Sequence, residues 1–290
     1  MSTPQSRKAI TRRDLLSGGL AAGALLATRS LKAAPAAYSR FDKDRPLLIG
    51  LQSYSLRGYK EGGNPDRARA LAVTNSLGVH FWEAFPAHIP MTDDSDELDR
   101  IKGELRGAEV GVVGYGVIPF KKGDPGNRKV FEFAKKMGFS YLSADPNPDS
   151  FDELDKLVEE FDVAVGIHNH GPGHRYDKID VINKAIKDHH PKIGCCVDTG
   201  HFLRSKEDPV RAAEVFGKRV FGVHLKDVKD AEHFTILGKG DLNTPGLFRV
   251  LIANGYQGIV AIEYEENEQN PVDDIRACLQ EVDRVFEAIG

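Results

Sequence analysis

Seven histidine, carboxylate and lysine side chains in the second half of the chain are of the types that hold metal ions or move protons. They are His168, His170, Asp198, His201, His224, Lys226 and Glu263. Asp198 ends a short apolar run, and the turn Asp198-Thr-Gly-His201 follows it. Gly200 lets the backbone turn tightly, so that His201 can return beside Asp198. A carboxylate and an imidazole held together suit a divalent metal ion or a polar substrate.

Four of these residues directly follow a buried apolar residue at the end of a predicted strand. They are His168, Asp198, His224 and Glu263. Two imidazoles and two carboxylates are a suitable ligand set for one divalent ion, such as Mn²⁺, Zn²⁺, Co²⁺, Fe²⁺ or Mg²⁺. His170, His201 and Lys226 come two or three residues later, where a substrate above the metal would lie. A lysine near a metal can act as an acid or as a charge on a substrate oxygen.

The elements that must position these side chains are eight strand-like segments that alternate with helix-like segments between residues 45 and 290. The strands are nearly continuous apolar runs, as expected for parallel strands buried on both faces. Strict alternation over this length predicts a single (β/α)₈ TIM barrel rather than a doubly wound sheet. No linker divides this range. Asn64-Pro65 is predicted to cap the first helix, and Ser150 with Glu153 to form a capping box.

The active site of such a barrel lies at the carboxyl ends of its strands. The remaining strand ends also carry polar side chains, namely Gln52, Arg57, Glu83, Tyr115 and Asp145. A ring of carboxylates and histidines predicts a functional site rather than a solvated rim. We therefore predict substrate-binding roles for Glu83, Asp145, His201 and Arg57. We predict catalytic roles for Glu263, His170 and Lys226.

Six short motifs from the first to the last strand resemble those of the xylose isomerase-like barrel superfamily, in its sugar phosphate isomerase/epimerase group. They are residues 51–57, 167–172, 198–201, 224–227, 238–241 and 261–265. The resemblance implies metal ligands at Asp198, His224 and Glu263, with His201 contacting the substrate. Ketose 3-epimerases and endonuclease IV carry a glutamate on strand five, where this chain has His168.

The function predicted first is a metal-dependent isomerase or epimerase that transfers a proton next to the carbonyl of a sugar or keto-sugar. A lyase or hydratase acting on a 3-keto-glycoside or an inosose is the main alternative, because His168 removes one of the two opposed carboxylate bases of the epimerases. An endonuclease IV-like hydrolase is disfavoured, because strands two and three offer Glu83 and Tyr115 instead of further histidine ligands. A non-catalytic sugar-binding barrel is a further alternative.

The N-terminus has the layout of an export signal. Arg12-Arg13 precedes a Gly/Ala/Leu-rich run over residues 17–27, and an Ala-rich stretch follows. Residues 1–34 resemble a twin-arginine signal peptide, which predicts export to the periplasm and membrane contact only during export. A basic tail or a short membrane anchor is the alternative. The net charge of -4 gives no signal for nucleic acid. The resemblance implies a small-molecule sugar as the partner. The sequence does not indicate an oligomeric state.

Overall fold

A computed structural model describes residues 45–290, which form a closed barrel of eight parallel strands. The barrel strands are β1 (Leu48–Gln52), β2 (Phe81–Ala84), β3 (Gly111–Phe120), β4 (Tyr141–Pro146), β5 (Ala164–His168), β6 (Ile193–Asp198), β7 (Val220–Leu225) and β8 (Ile259–Ile262). Each strand pairs with its neighbours in chain order, and β1 pairs with both β2 and β8. The predicted (β/α)₈ barrel is therefore confirmed.

Helices follow the strands and cover the outside of the barrel. They are α1 (Arg67–Ser76), α2 (Ser95–Gly107), α3 (Pro125–Met137), α4 (Phe151–Phe161), α5 (Ile179–Ile186), α6 (Thr199–Arg204), α7 (Pro209–Phe216), α8 (Thr244–Ala253) and α9 (Val272–Ile289). Their apolar sides join the strands in one buried core. Within residues 45–290, no helix has the length and apolar character needed to cross a membrane. The predicted signal peptide lies outside the described residues.

Two predicted helix caps are wrong. Asp66, not Asn64-Pro65, caps α1, because its carboxylate accepts the backbone N–H of Arg69 at 2.9 Å. Asn64–Pro65 instead forms a short antiparallel ribbon with Lys60–Glu61. Ser150 occupies the N-cap position of α4, but its hydroxyl donates to the carbonyl of Asn147 and accepts no capping hydrogen bond, so the predicted capping box does not form.

The interior of the barrel contains one aromatic ring that reaches across it. Tyr141 of β4 is almost fully buried, and its hydroxyl donates to the Glu83 carboxylate on β2. Gly114 and Gly222 make room for the ring. A Cβ atom at Gly114 would lie 2.3 Å from Tyr141 Cε1, and one at Gly222 would lie 2.5 Å from the hydroxyl oxygen. The two glycines therefore allow Tyr141 to contact Glu83.

A buried carboxylate organises the long connection after β7. Asp227 accepts four backbone N–H groups, those of Val228, Gly238, Gly240 and Leu242, at 2.9 to 3.0 Å. The segments Asp227–Lys229 and His233–Thr235 pair as an antiparallel hairpin. Three of the four hydrogen bonds, those from Gly238, Gly240 and Leu242, hold the segment after this hairpin against its base, at the carboxyl end of the barrel.

Candidate metal centre

The carboxyl ends of four consecutive strands bring four side chains to one point. These are His168, Asp198 and His224 on β5 to β7, and Glu263 directly after β8. All four are buried, and one donor atom of each lies within 4.8 Å of the others. His168 Nε2 is 3.0 Å from His224 Nδ1 and 3.2 Å from Asp198 Oδ2, while His224 Nδ1 is 3.0 Å from Glu263 Oε2. The four residues predicted as metal ligands therefore lie together.

The spacing and chemistry of this cluster fit one divalent ion. Ligand atoms about 2.0–2.2 Å from a common ion lie roughly 3.0–3.6 Å from one another. Asp198 Oδ2 and Glu263 Oε2 are buried and accept no hydrogen bond from the described residues. Buried carboxylate oxygens normally have a partner, so these oxygens have lone pairs available for a cation. Mixed imidazole and carboxylate donors suit first-row transition ions such as Mn²⁺, Fe²⁺ and Zn²⁺.

Two local devices orient the β6 carboxylate. Asp198 Oδ1 accepts the backbone N–H of His201 at 2.8 Å, which makes Asp198 the N-cap of α6 and turns Oδ2 toward the cluster. The Asn169 side chain bonds the backbone of Asp198 twice, donating to its carbonyl and accepting from its N–H, both at 2.8 Å. Asn169 follows His168 directly, so it ties the end of β5 to the end of β6.

A second carboxylate supports His224 from below. His224 Nε2 lies 2.8 Å from Glu83 Oε1, which leaves Nδ1 to face the cluster. Glu83 also accepts from Gln52 Nε2 at 3.0 Å, from Ser143 Oγ at 2.5 Å and from the Tyr141 hydroxyl. A carboxylate behind a histidine ligand fixes the ring and its tautomer.

Glu83 and Arg57, both predicted to bind substrate, have partners within the protein. Glu83 is fully buried beneath His224, where it positions that ring. Arg57 Nη2 donates to the carbonyl of Glu265 at 2.6 Å, and Arg57 Nε lies 3.7 Å from Glu268 Oε2. Arg57 therefore joins the loop after β1 to the loop after β8. The substrate-binding roles of both residues stay predictions.

Lys226 lies within the carboxylates of the cluster. Its ammonium is 2.9 Å from both Asp198 Oδ2 and Glu263 Oε2, and it donates a hydrogen bond to Glu265 Oε1. Only the contact with Glu265 has hydrogen-bond geometry, so the other two are ion pairs. Three carboxylates around one ammonium leave two negative charges, which one divalent ion would balance.

Electrostatics keep these groups in opposite charge states. Burial alone would lower the pKa of Lys226, but Asp198, Glu263 and Glu265 raise it well above its usual value. Burial alone would raise the pKa of Asp198 and of Glu263, but Lys226 is the largest influence that holds both below the ordinary range. The lysine is therefore an ammonium, and both carboxylates are ionised.

Two imidazoles line the space above the cluster. The ring centroid of His170 lies 4.6 Å from that of His168, and the His201 centroid lies 5.8 Å from both. Burial, then the neighbouring histidines, lowers the pKa of His170 to about 3. Burial lowers the pKa of His201 to about 4. Both rings are therefore neutral near pH 7.

Asp145 lies further out, on the β4 side of the mouth. Its Oδ2 is 3.4 Å from His174 Nε2, and its Oδ1 is buried without a hydrogen-bond partner among the described residues. An acceptor in this state suits a substrate hydroxyl.

Sequence reasoning missed the residues that connect the strand ends. Thr199 Oγ1 donates to the carbonyl of Lys226 and accepts the N–H of Lys226 at 2.8 Å, which ties β6 to the segment after β7. Asn169 likewise ties the end of β5 to the end of β6, and Ser143 on β4 donates to Glu83 on β2. These are small polar residues beside the motifs, and only their fully buried positions distinguish them from ordinary loop residues.

Residues 147–282 match the protein family described as Xylose isomerase-like TIM barrel. The match covers slightly less than half of the chain and agrees with the resemblance that the motifs indicated. An inosose dehydratase from Clostridium tetani is 28% identical over 142 residues, which cover 42% of this chain and 47% of that protein. The chain therefore spans about half the length of the curated relatives that it matches.

Solved structures share the fold over most of the chain. The IOLI protein, whose crystal structure has a bound zinc atom, has a TM-score of 0.68 at 15% identity and covers 84% of this chain and 99% of its own. L-ribulose 3-epimerase has a TM-score of 0.67 at 15% identity and covers 84% of this chain and 95% of its own. At this identity the likeness concerns the fold.

Proposed function

We propose that this xylose isomerase-like barrel is a divalent-metal-dependent lyase that removes a β-substituent from a cyclic keto-sugar, either an inosose-type ketone or a 3-keto-glycoside. The observation that carries the proposal is the donor set of the buried cluster, in which His168 stands beside Asp198, His224 and Glu263. This set can hold one ion but offers no pair of opposed carboxylate bases. Elimination needs one base and one acid, whereas epimerisation needs a base on each side of a carbon.

His168, Asp198, His224 and Glu263 would hold the ion, and Glu83 would keep the His224 ring in place through Nε2. A bound divalent ion would supply Lewis-acid polarisation of the substrate carbonyl. His201 and Asp145 line the mouth above, where the hydroxyl groups of a ring substrate would find an imidazole and a carboxylate oxygen that accepts no hydrogen bond from the described residues.

The proton transfers fall to two residues in our proposal. Among the described residues His170 makes ring contacts but its ring forms no hydrogen bond, so its lone pair is free to take the proton from the carbon next to the carbonyl. The resulting enolate re-forms the carbonyl as the C–O bond at the neighbouring carbon breaks. The Lys226 ammonium gives its proton to the departing oxygen. The products are an unsaturated ketone and water, or an alcohol from a glycoside.

The inosose dehydratase relative supports this reaction class, although the match covers only about half of that protein. The isomerase or epimerase predicted first from the sequence is the second candidate, because Glu263 is a carboxylate at the same ring of strand ends. Both reactions begin with removal of the same proton, so their products distinguish them.

The test is proton NMR of the metal-loaded full chain in heavy water with an inosose, a 3-keto-glycoside and a panel of ketoses. A lyase releases the β-substituent, and it incorporates deuterium next to the carbonyl wherever the enolate takes up a deuteron before the C–O bond breaks. Deuterium with inversion and no release would replace the lyase by the epimerase. Neither release nor exchange with any compound would overturn both.

Two variants test the assigned roles, with metal content measured in each. His170→Gln should lower the exchange rate by about 10²-fold or more, since general bases contribute about 10²–10⁴-fold. Lys226→Met should retain exchange better than release of the β-substituent. His190→Gln is the matched control, because the His190 ring faces solvent and pairs with Glu159 at 2.9 Å, away from the cluster.

A further inference from the structure

Arg204 is a half-buried cation at the mouth of the barrel, and it has no acidic partner among the residues that the structure describes. It is the last residue of α6, three residues after His201. Its hydrogen-bond contact is Nη1 with His201 Nδ1 at 3.5 Å, and its Cζ atom lies 5.1 Å from the centre of the Phe234 ring. Within residues 45–290, no carboxylate oxygen lies within 4.0 Å of its guanidinium nitrogens.

Three other cations near this rim have a carboxylate nearby. Arg57 lies 3.7 Å from Glu268, Arg175 lies 4.0 Å from Asp145, and Lys226 contacts three carboxylates. A guanidinium that has lost part of its hydration without gaining a counter-charge is costly unless an anion completes it. Arg204 therefore differs from these three cations, because no carboxylate of residues 45–290 pairs with its guanidinium.

The surroundings hold the guanidinium close to the candidate metal centre. A Cβ atom at Gly171 would lie 3.2 Å from Arg204 Nη1, and one at Gly200 would lie 3.0 Å from Phe234 Cε1. The absence of side chains at these glycines lets Arg204 and Phe234 come close. The Phe234 ring meets His201 edge to face at 5.6 Å, and His201 in turn contacts His168.

Charge balance separates this position from the metal cluster. The three carboxylates around Lys226 leave two negative charges, and one divalent ion would neutralise them. The positive charge of Arg204 is not needed to neutralise these carboxylates. Its planar fork of donors matches the two oxygens of a carboxylate or a phosphate.

We propose that Arg204 and Phe234 form an outer subsite that binds an anionic group on the ring substrate, either a carboxylate or a phosphate ester. Phe234 provides an apolar wall against the sugar ring, and Arg204 pairs with the charge. The assignment of the ligand as a ring sugar rests on the proposed function. The charge preference of the subsite is independent of the reaction.

Binding to the metal-loaded full chain tests the subsite without turnover. The probes are D-glucose, D-glucuronate and D-glucose 6-phosphate, which share a ring and differ at one carbon. Titration calorimetry should give at least about tenfold tighter binding for one or both anions than for D-glucose, as one charge-assisted pair would provide. The anion that binds more tightly identifies the group.

Variants locate the preference. Arg204→Met should reduce the affinity for the anions to that for D-glucose, and Arg204→Lys should retain only part of the difference. Arg211→Met is the matched control, because Arg211 is exposed and pairs with Asp180 and Glu207 outside the mouth. The proposal is overturned if the three sugars bind equally, if none binds, or if the preference survives in Arg204→Met. Survival would mean that the metal ion holds the anion. A preference that depends on Arg204 together with no enolisation would reject the lyase and leave the subsite standing.

Discussion

Glu83 contacts the candidate metal centre through His224. It lies 2.8 Å from His224 Nε2 and accepts three further side-chain hydrogen bonds. Burial alone would raise the pKa of Glu83, but His224 together with the hydroxyls of Ser143 and Tyr141 holds it below the usual value. An ionised Glu83 makes the opposite nitrogen of His224 a better donor to a metal.

Removing this charge should weaken metal binding. We expect Glu83→Gln to lower the affinity for Zn²⁺ or Mn²⁺ by about 10- to 100-fold, as is usual for carboxylates behind histidine ligands. Competition with a chelator measures the affinity, and circular dichroism checks the fold. Glu132→Gln, at an exposed glutamate of α3, is the control. An unchanged affinity in a folded Glu83→Gln protein would remove Glu83 from the centre.

A buried histidine away from the cluster should make stability depend on pH. His88 packs against Trp82 and Phe85, and its Nε2 has no hydrogen-bond partner among the described residues. Burial, aided by Arg67, lowers the pKa of His88 to about 4. The unfolded chain therefore binds a proton below about pH 6.5, where the folded chain does not. This contribution to stability is complete above pH 6.5 and is lost as the pH falls toward 4.

Urea unfolding at pH 7 and pH 5 measures this effect. His88 should contribute about 2 kcal/mol to the difference in unfolding free energy between the two pH values. His88→Gln should remove that share, because glutamine does not titrate. His233→Gln, at an exposed ring, should leave the difference unchanged. An equal pH dependence in wild type and His88→Gln would contradict the assignment.

The cluster was predictable at the residue scale because all four of its members follow apolar strand residues, and consecutive parallel strands end at one edge. The position of Glu83 beneath His224 was not predictable, although Glu83 also ends an apolar run. Its strand β2 pairs Glu83 with Gln52 in a layer below the cluster, and the β2–β3 register shifts between Trp82 and Glu83. The depth of a side chain along the barrel axis depends on such register shifts. The periodicity of apolar residues in the sequence does not encode them. The partner of Arg57 is 208 residues away in the chain, beyond any local signal.

At the scale of elements, Asp227 should be essential to the segment after β7. Its two oxygens each accept two backbone N–H groups. In Asp227→Asn an amide NH₂ would face two of these donors, so we expect a loss of about 2–3 kcal/mol of stability. Hydrogen exchange should rise across residues 228–242. The control is Asp241→Asn, since Asp241 accepts one exposed N–H from Ala231. Similar exchange in both variants would count against this role.

The strands and most helices could be predicted because burial on both faces leaves a continuous apolar run, and because Asp208-Pro209 and Thr244-Pro245 mark helix starts. The short helix α6 and the hairpin over Asp227–Thr235 could not. α6 has six residues, and its N-cap Asp198 was already explained as a candidate ligand. The hairpin depends on Asp227, whose four partners come from up to 15 residues away.

At the scale of the whole molecule, the candidate site lies at the carboxyl end of the barrel. The predicted signal peptide lies outside the described residues. Export therefore stays a prediction. Replacing Arg12 and Arg13 with lysine should keep the precursor in the cytoplasm, because the twin-arginine route reads this pair. Cell fractionation with an immunoblot measures the location. A variant that reaches the periplasm in normal amounts would argue against this route.

The central claim is that the ends of β5 to β8 hold one divalent metal ion, and metal analysis of purified protein tests it most directly. The informative variant is Asp198→Asn, because asparagine keeps an oxygen for capping α6 and loses only the charged ligand. We expect about one transition-metal ion per wild-type chain and less than about a tenth of that in Asp198→Asn with its barrel intact. Full metal content in Asp198→Asn, or a wild-type protein that binds no divalent ion, would contradict the account.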